Sequence, residues 1–161
     1  MRWLIDGYNV IRRDADLRAQ EAESLEAGRT ALLRLVARVA RAGGDRFTVV
    51  FDGAPASRPA PAGGQLEVIF SRPPEKADDV LARLARQLGA GSAVVTSDRA
   101  VRDAAGRAGC AVIGAEQFLD ALSADPEPPA VTSPAPKSGN PRRLSKDARA
   151  AERALRRLRG P

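Results

Sequence analysis

The residues best suited to chemistry in this chain are aspartates that follow short apolar runs. Asp6 and Asp52 come directly after such runs, and Asp98 follows a third one by two residues. A fourth acidic group, Asp78-Asp79, stands where helical spacing begins. Ligands of open parallel sheets bind beyond the carboxyl ends of the strands, so we expect these carboxylates to converge there. Neighbouring helical residues diverge by about 100°, so one of Asp78 and Asp79 should face the cleft while the other flanks it or caps the helix.

Converging carboxylates favour a bound metal, because they repel one another and a divalent cation relieves that repulsion. The chain has no histidine and a single cysteine. These counts exclude Ser-His-Asp and Cys-His nucleophile systems and disfavour a zinc site. Carboxylates select hard cations such as Mg²⁺ or Mn²⁺. A cation of this kind can activate water and stabilise the charge that grows on a phosphodiester during in-line attack.

Each acid also has an ordinary structural interpretation. Asp-Gly at residues 6–7 and 52–53 is a common turn signal, and Asp78 and Asp79 are common helix-start residues. Ser97-Asp98 is a common helix cap. Taken singly, each acid is more typical of a structural role. Their recurrence at the ends of three predicted strands favours a metal site.

Two further residues lie in the predicted turn after the first strand. Asn9 could hold a phosphate or a water molecule there, although an Asn in a turn needs no function. Tyr8 could stack on a nucleobase, or it could simply cover the edge of the sheet. The sequence leaves both alternatives open.

The segments that must position these residues alternate between strands and helices. Short apolar runs predict five strands, at residues 3–6, 47–51, 66–70, 93–96 and 111–113. Helical spacing predicts helices at residues 24–41, 75–88, 99–108 and 115–122. This alternation predicts an α/β fold with a mostly parallel central sheet that is covered by helices on both faces.

The composition changes after Ser123, which predicts three regions. We expect a catalytic domain over residues 1–123 and a Pro-rich flexible linker over residues 124–143. Residues 144–161 are expected to carry a basic amphipathic helix, with Ser145 as its N-cap.

Positive charge is concentrated in the C-terminal region. The whole chain carries a net charge of +6, whereas residues 137–161 hold nine Lys or Arg and two acids, which leaves residues 1–136 at −1. One face of the predicted helix carries Lys146, Arg149, Arg153, Arg156 and Arg157. Such a helix suits a phosphate backbone, an acidic membrane surface or a protein partner, and we expect contact with RNA or the ribosome. The alternative is a solvated charged helix that docks weakly on its own domain.

Four segments in this order resemble NYN-domain proteins of the PIN-like nuclease superfamily, most closely the YacP-like branch. They are Leu4-Ile-Asp-Gly-Tyr-Asn-Val-Ile11, Val49-Val-Phe-Asp-Gly53, Lys76-Ala-Asp-Asp79 and Val94-Val-Thr-Ser-Asp-Arg99. The resemblance spans about residues 2–122. It implies a PIN-like three-layer α/β/α sandwich, Mg²⁺- or Mn²⁺-dependent cleavage of single-stranded RNA, and a link to mRNA decay at the ribosome.

The resemblance also implies roles for individual residues. Asp6, Asp78 and Asp98 match the metal-binding acids of the family. Asn9, Asp52 and Asp79 match positions that support the catalytic site. The linker and the basic helix lie outside the domain pattern that carries the resemblance.

The leading hypothesis is therefore a metal-dependent endoribonuclease. The alternative is a non-catalytic RNA-binding or ribosome-associated factor with the same fold. A phosphatase is disfavoured because no Asp-x-Asp follows the first strand and no Walker-type glycine-rich loop is present. Residues 1–6 lack the apolar core of a signal peptide, no later run could span a membrane, and one cysteine fits a reducing compartment. We expect a cytoplasmic protein.

Overall fold

The described residues form one five-stranded sheet. The computed structural model describes residues 1–53, 64–123 and 145–159. The strand order is β3-β2-β1-β4-β5, and every neighbouring pair is parallel. The strands are β1 (Arg2–Asp6), β2 (Arg46–Phe51), β3 (Leu66–Phe70), β4 (Ser92–Val95) and β5 (Ala111–Ile113). The predicted parallel sheet is confirmed.

Helices cover both faces of the sheet. They are α1 (Gly7–Ile11), α2 (Ala15–Glu23), α3 (Leu25–Ala42), α4 (Ala77–Leu88), α5 (Arg99–Arg107), α6 (Ala115–Ser123) and α7 (Lys146–Leu158). Buried residues of α4 and α5 form one apolar cluster with Leu4 of the central strand. Residues of the other helices cluster with Trp3 and Ile5, which point to the opposite face. The three-layer α/β/α sandwich is therefore confirmed.

Two of the observed helices were not predicted from the sequence. The first, α1, follows β1 without a loop and has only five residues, which is too short for apolar periodicity to show. Helix α1 can pack here because residue 7 is glycine. A Cβ at this position would stand 2.3 Å from the Phe51 Cε1 atom and would clash with the ring. The second, α2, buries only Leu17 and so lacks an apolar stripe, although the Asp14 side chain caps it by accepting from the Leu17 N–H.

The C-terminal helix packs on the rest of the molecule. Ala154 and Leu158 are buried in the same apolar cluster as Trp3, and α7 contacts β5 and α6. The Arg157 Nε donates to a carboxylate oxygen of Asp45 at 2.8 Å. The alternative interpretation from the sequence, a charged helix docked on its own domain, describes this arrangement. The predicted linker, residues 124–143, lies outside the described residues, and the division into domains stays a prediction.

Asp45 is buried and immediately precedes β2. The Trp3 Nε1 and the Met1 amino group also donate to its carboxylate, at 3.0 and 2.7 Å. Burial raises the pKa of Asp45, but the hydrogen bonds from these groups and from Arg157 outweigh it and lower the pKa overall. The carboxylate is thus charged, and its oxygens are hydrogen-bonded, where β1, β2 and α7 meet.

Among the described residues, no helix is long and apolar enough to cross a membrane.

We predict that Leu158→Ala lowers the free energy of unfolding by about 2 kcal/mol or more, because it removes a buried side chain and leaves a cavity. Arg153→Ala on the exposed side of the same helix is the control and should change the free energy by less than about 0.5 kcal/mol. Urea denaturation followed by circular dichroism measures both. Equal stability of the two variants would mean that α7 does not pack on the domain in solution.

Candidate active site

A cleft of about 690 Å³ opens where the carboxyl ends of β1, β2 and β4 meet. It gathers four of the acids that the sequence analysis selected, together with Tyr8 and Asn9, whereas Asp79 is not part of its lining. The lining also contains cationic side chains that were not selected. Among the described residues, the lining consists of Asp6, Tyr8, Asn9, Arg12, Arg13, Leu25, Arg29, Asp52, Gly53, Lys76, Ala77, Asp78 and Asp98.

Asp6 is the most buried acid of the cleft, with 8% of its surface exposed. It ends β1 and caps α1, because its Oδ1 accepts from the Asn9 N–H at 3.2 Å. Its Oδ2 accepts from the Thr96 hydroxyl at 2.9 Å. Burial is the main cause that raises the pKa of Asp6, and the charges of Asp78 and Asp98 raise it further, while the two hydrogen bonds oppose the change.

Asp98 is held beside Asp6 through Thr96. The Asp98 N–H donates to the Thr96 hydroxyl oxygen at 3.1 Å, and its carboxylate caps α5 by accepting from the Val101 N–H at 3.0 Å. Asn9 supports the same segment, since its Oδ1 accepts from the Ser97 N–H at 2.8 Å. The predicted turn residue therefore fixes α1 against the connection between β4 and α5.

Asp78 is exposed in the first turn of α4 and completes the acidic group. Partial burial raises the pKa of Asp78, and the charges of Asp98, Asp79 and Asp52 add to that effect, while Lys76 acts in the opposite direction. Partial burial and the neighbouring carboxylates together therefore disfavour the ionised form of Asp78.

Asp52 and Asp79 fix the start of α4. The Asp52 Oδ1 accepts from the Ser71 hydroxyl at 2.6 Å and from the Ala77 N–H at 3.3 Å. The pKa of Asp52 is lowered, chiefly by the hydrogen bond from Ser71. Asp79 caps the helix, because its Oδ2 accepts from the Lys76 N–H at 3.0 Å. Of the adjacent pair, Asp78 thus lines the cleft and Asp79 serves the helix.

The chemistry of these acids fits a hard divalent cation, since carboxylate oxygens are the ligands that Mg²⁺ and Mn²⁺ prefer. Within the described ranges, however, no three His, Cys, Asp or Glu side chains are grouped closely enough to hold one ion. Asp6 and Asp98 are fixed by their hydrogen bonds, whereas Asp78 is exposed.

The cationic residues of the lining were not selected from the sequence, and two of them contact Tyr8, which was. The Tyr8 hydroxyl accepts from the Nε and the Nη2 of Arg29, and the Arg12 guanidinium carbon lies 5.7 Å from the centre of the Tyr8 ring. Arg13 pairs with Glu116 at 3.2 Å. Recognition of α1 would have revealed part of this group, because Arg12 stands four residues after Tyr8, one turn further along a helix.

The five basic residues predicted to bind RNA lie on α7 and do not line the cleft. Arg157 contacts Asp45, and Arg156 lies 3.9 Å from Glu152. The side chains of Lys146, Arg149 and Arg153 are exposed. The structure therefore separates the acidic cleft from the basic face of the helix.

The sequence and the fold of this chain are both similar to those of known proteins. Two crystal structures of Rae1 (YacP) from Bacillus subtilis, one of them of a point mutant, are 29% identical in sequence to this chain. The TM-score is 0.64 for the structure without the mutation and 0.63 for the mutant. Each comparison covers 76% of this chain, and 73% and 74% of the respective Rae1 chains. Among curated proteins, none matches the sequence. The family model described as the YacP-like NYN domain matches residues 3–158, a range that includes α7. This chain belongs to the YacP-like NYN domain family.

Proposed function

We propose that this chain is an endoribonuclease that uses Mg²⁺ or Mn²⁺ to hydrolyse phosphodiester bonds of single-stranded RNA. The observation that carries the proposal is the acidic cleft, in which Asp6 and Asp78 have raised pKa values because neighbouring carboxylates add to the effect of burial. Membership of the YacP-like NYN family, a nuclease-like family, supports hydrolysis of RNA. The proposed substrate is mRNA at the ribosome, which places the protein in the cytoplasm.

Asp6, Asp78 and Asp98 would hold the metal ion, which when bound activates water and neutralises charge on the phosphate. Thr96 and Asn9 keep the Asp6 carboxylate at the end of β1, and Asn9 also fixes the segment that carries Asp98. Asp52 and Asp79 hold the first turn of α4, which carries Asp78. The supporting residues thus set the spacing between the three acids.

The four carboxylates of the cleft repel a polyanion, so RNA affinity has to come from positive charge, both among the cationic side chains of the cleft and outside it. We assign part of it to the exposed basic face of α7, formed by Lys146, Arg149, Arg153, Arg156 and Arg157. Arg157 also contacts Asp45, so the first four residues are the better candidates. Tyr8, which lies in the cleft itself, is the proposed contact to RNA close to the acids.

A non-catalytic RNA-binding or ribosome-associated factor is the second candidate. The observation that favours it is that the described acids are not grouped for joint ligation of one ion. The two candidates differ in whether metal binds the cleft and whether RNA is cut.

We predict that Asp6→Asn and Asp98→Asn each reduce RNA cleavage at least about 100-fold, because each removes a proposed metal ligand. The reaction uses end-labelled single-stranded RNA with Mn²⁺, and the products are resolved on a denaturing gel. Asp103→Asn, an exposed position on α5 away from the cleft, is the matched control and should leave the rate unchanged. Full cleavage by both folded variants would eliminate the proposed site.

Metal binding should also be visible without activity. At a concentration 100 times its Kd, Mn²⁺ should stabilise the folded protein by about 2.7 kcal/mol. The melting temperature should therefore rise with Mn²⁺ in the wild type and rise less in Asp78→Asn, and EDTA should abolish cleavage. If Mn²⁺ leaves the melting temperature unchanged and cleavage persists in EDTA, the metal-dependent mechanism is wrong.

The basic face of α7 gives a third prediction. Changing Lys146, Arg149 and Arg153 together to Gln should weaken RNA binding and lower the slope of log affinity against log salt by about 2, since each phosphate contact on a single strand contributes about 0.7. Changing Arg86, Arg102 and Arg107 on α4 and α5 to Gln removes the same charge from the opposite layer and is the control. Equal slopes for the two triple variants would show that α7 does not bind RNA.

A further inference from the structure

The long side chain of Arg29 lies in the cleft and is held there by several contacts. It lies in the second turn of α3 and is half-buried. Its Nε and Nη2 both donate to the Tyr8 hydroxyl, at 2.7 Å for the Nε. Its guanidinium carbon also lies 5.2 Å from the centre of the Phe70 ring and 5.7 Å from that of Phe51. The centre of the Tyr8 ring lies 5.4 Å away as well, so one hydroxyl and three aromatic rings fix the direction of this guanidinium.

The aromatic residues around Arg29 are joined to the strands that carry the acids. Phe51 is the last residue of β2 and precedes Asp52, and its ring stacks on Phe70 at 5.6 Å. The Tyr8 ring meets Phe51 edge-on at 5.3 Å and lies two residues after Asp6. The position of Arg29 relative to Asp6 is consequently set by packed rings rather than by a flexible loop.

We infer that Arg29, positioned by Tyr8, binds a backbone phosphate of the RNA next to the acidic centre. The inference rests on the RNA substrate of the proposed function. A guanidinium presents a planar set of donors that matches two phosphate oxygens, and a fixed guanidinium loses less freedom on binding than a mobile one. Arg29 and Asp6 line the same cleft, so a phosphate bound by Arg29 lies in the cleft that holds the carboxylates.

This assignment gives Tyr8 a definite role. Its hydroxyl accepts from Arg29, and its ring is held by Phe51, so Tyr8 also acts through Arg29 as a positioning residue, in addition to its proposed contact to RNA. The competing explanation is that the cation and the rings only stabilise the fold. The two explanations differ in what happens to RNA affinity and to its dependence on salt.

The test compares Arg29→Ala, Arg29→Lys and Tyr8→Phe with Arg34→Ala, which removes an exposed arginine from the same helix outside the cleft. Cleavage of single-stranded RNA with Mn²⁺ gives KM and kcat. Binding of the same RNA in EDTA, where the proposed reaction is blocked, gives affinity across a salt series. Thermal melting identifies any variant that fails to fold.

Arg29→Ala should raise KM about 10-fold or more, as expected for the loss of hydrogen bonds to a charged group, and change kcat less than about 3-fold. Its salt slope should fall by about 0.7, one phosphate contact. Tyr8→Phe keeps the charge and the ring, so the slope should stay at the wild-type value while affinity falls about 5-fold, the effect of one hydrogen bond. Arg29→Lys should keep the slope and recover part of the affinity lost in Arg29→Ala.

The outcomes separate this inference from the proposed function. If the wild type cleaves RNA and Arg29→Ala matches Arg34→Ala in KM and salt slope, the inference is wrong and the nuclease assignment stands. If the wild type binds RNA with a slope that depends on Arg29 but cuts nothing, the inference stands and the nuclease assignment is wrong. If the wild type does not bind RNA, both are wrong. Lower melting temperatures with an unchanged slope would also overturn the inference.

Discussion

The Thr96 hydroxyl holds together the two strand ends on which the cleft depends. It donates to the Asp6 carboxylate and accepts from the Asp98 N–H, and Thr96 itself is fully buried. Two acids that repel each other are thereby held at the ends of the neighbouring strands β1 and β4. The fold tolerates this repulsion because the carboxylates are also satisfied by backbone N–H groups at the starts of α1 and α5.

All five strands and the helices α3 to α7 could be predicted from the sequence because their signals are local. The apolar runs of the strands, and the spacing of Leu32 and Val36 in α3, depend only on nearby residues. The contact between Arg29 and Tyr8 joins positions 21 residues apart, and that between Arg157 and Asp45 joins positions 112 apart. No local pattern encodes such pairs, so the cationic part of the cleft and the docking of α7 required the structure.

Asp6 and Asp98 combine an observed structural role with the chemical role proposed for them. Asp6 and Asp98 cap helices, which is the ordinary interpretation that their sequence context offers. The same hydrogen bonds fix each carboxylate at a strand end, where a phosphate or a cation can approach. One carboxylate can therefore cap a helix and also be a ligand. Asp79 differs, because it caps α4 but does not line the cleft.

The carboxylate of Asp45 has a consequence for synthesis of the chain. Trp3 and Arg157 both donate to it, so an early and a late segment meet at one buried acid. Translation proceeds from the N-terminus at about 5–20 residues per second. The sheet strands are therefore made before Arg157, and during that interval Asp45 lacks one of its cationic partners. The helical layer on the Trp3 face of the sheet is complete only when the residues of α7 have left the ribosome. A nascent chain that has already paired its strands therefore still exposes the apolar surface that Ala154 and Leu158 later cover.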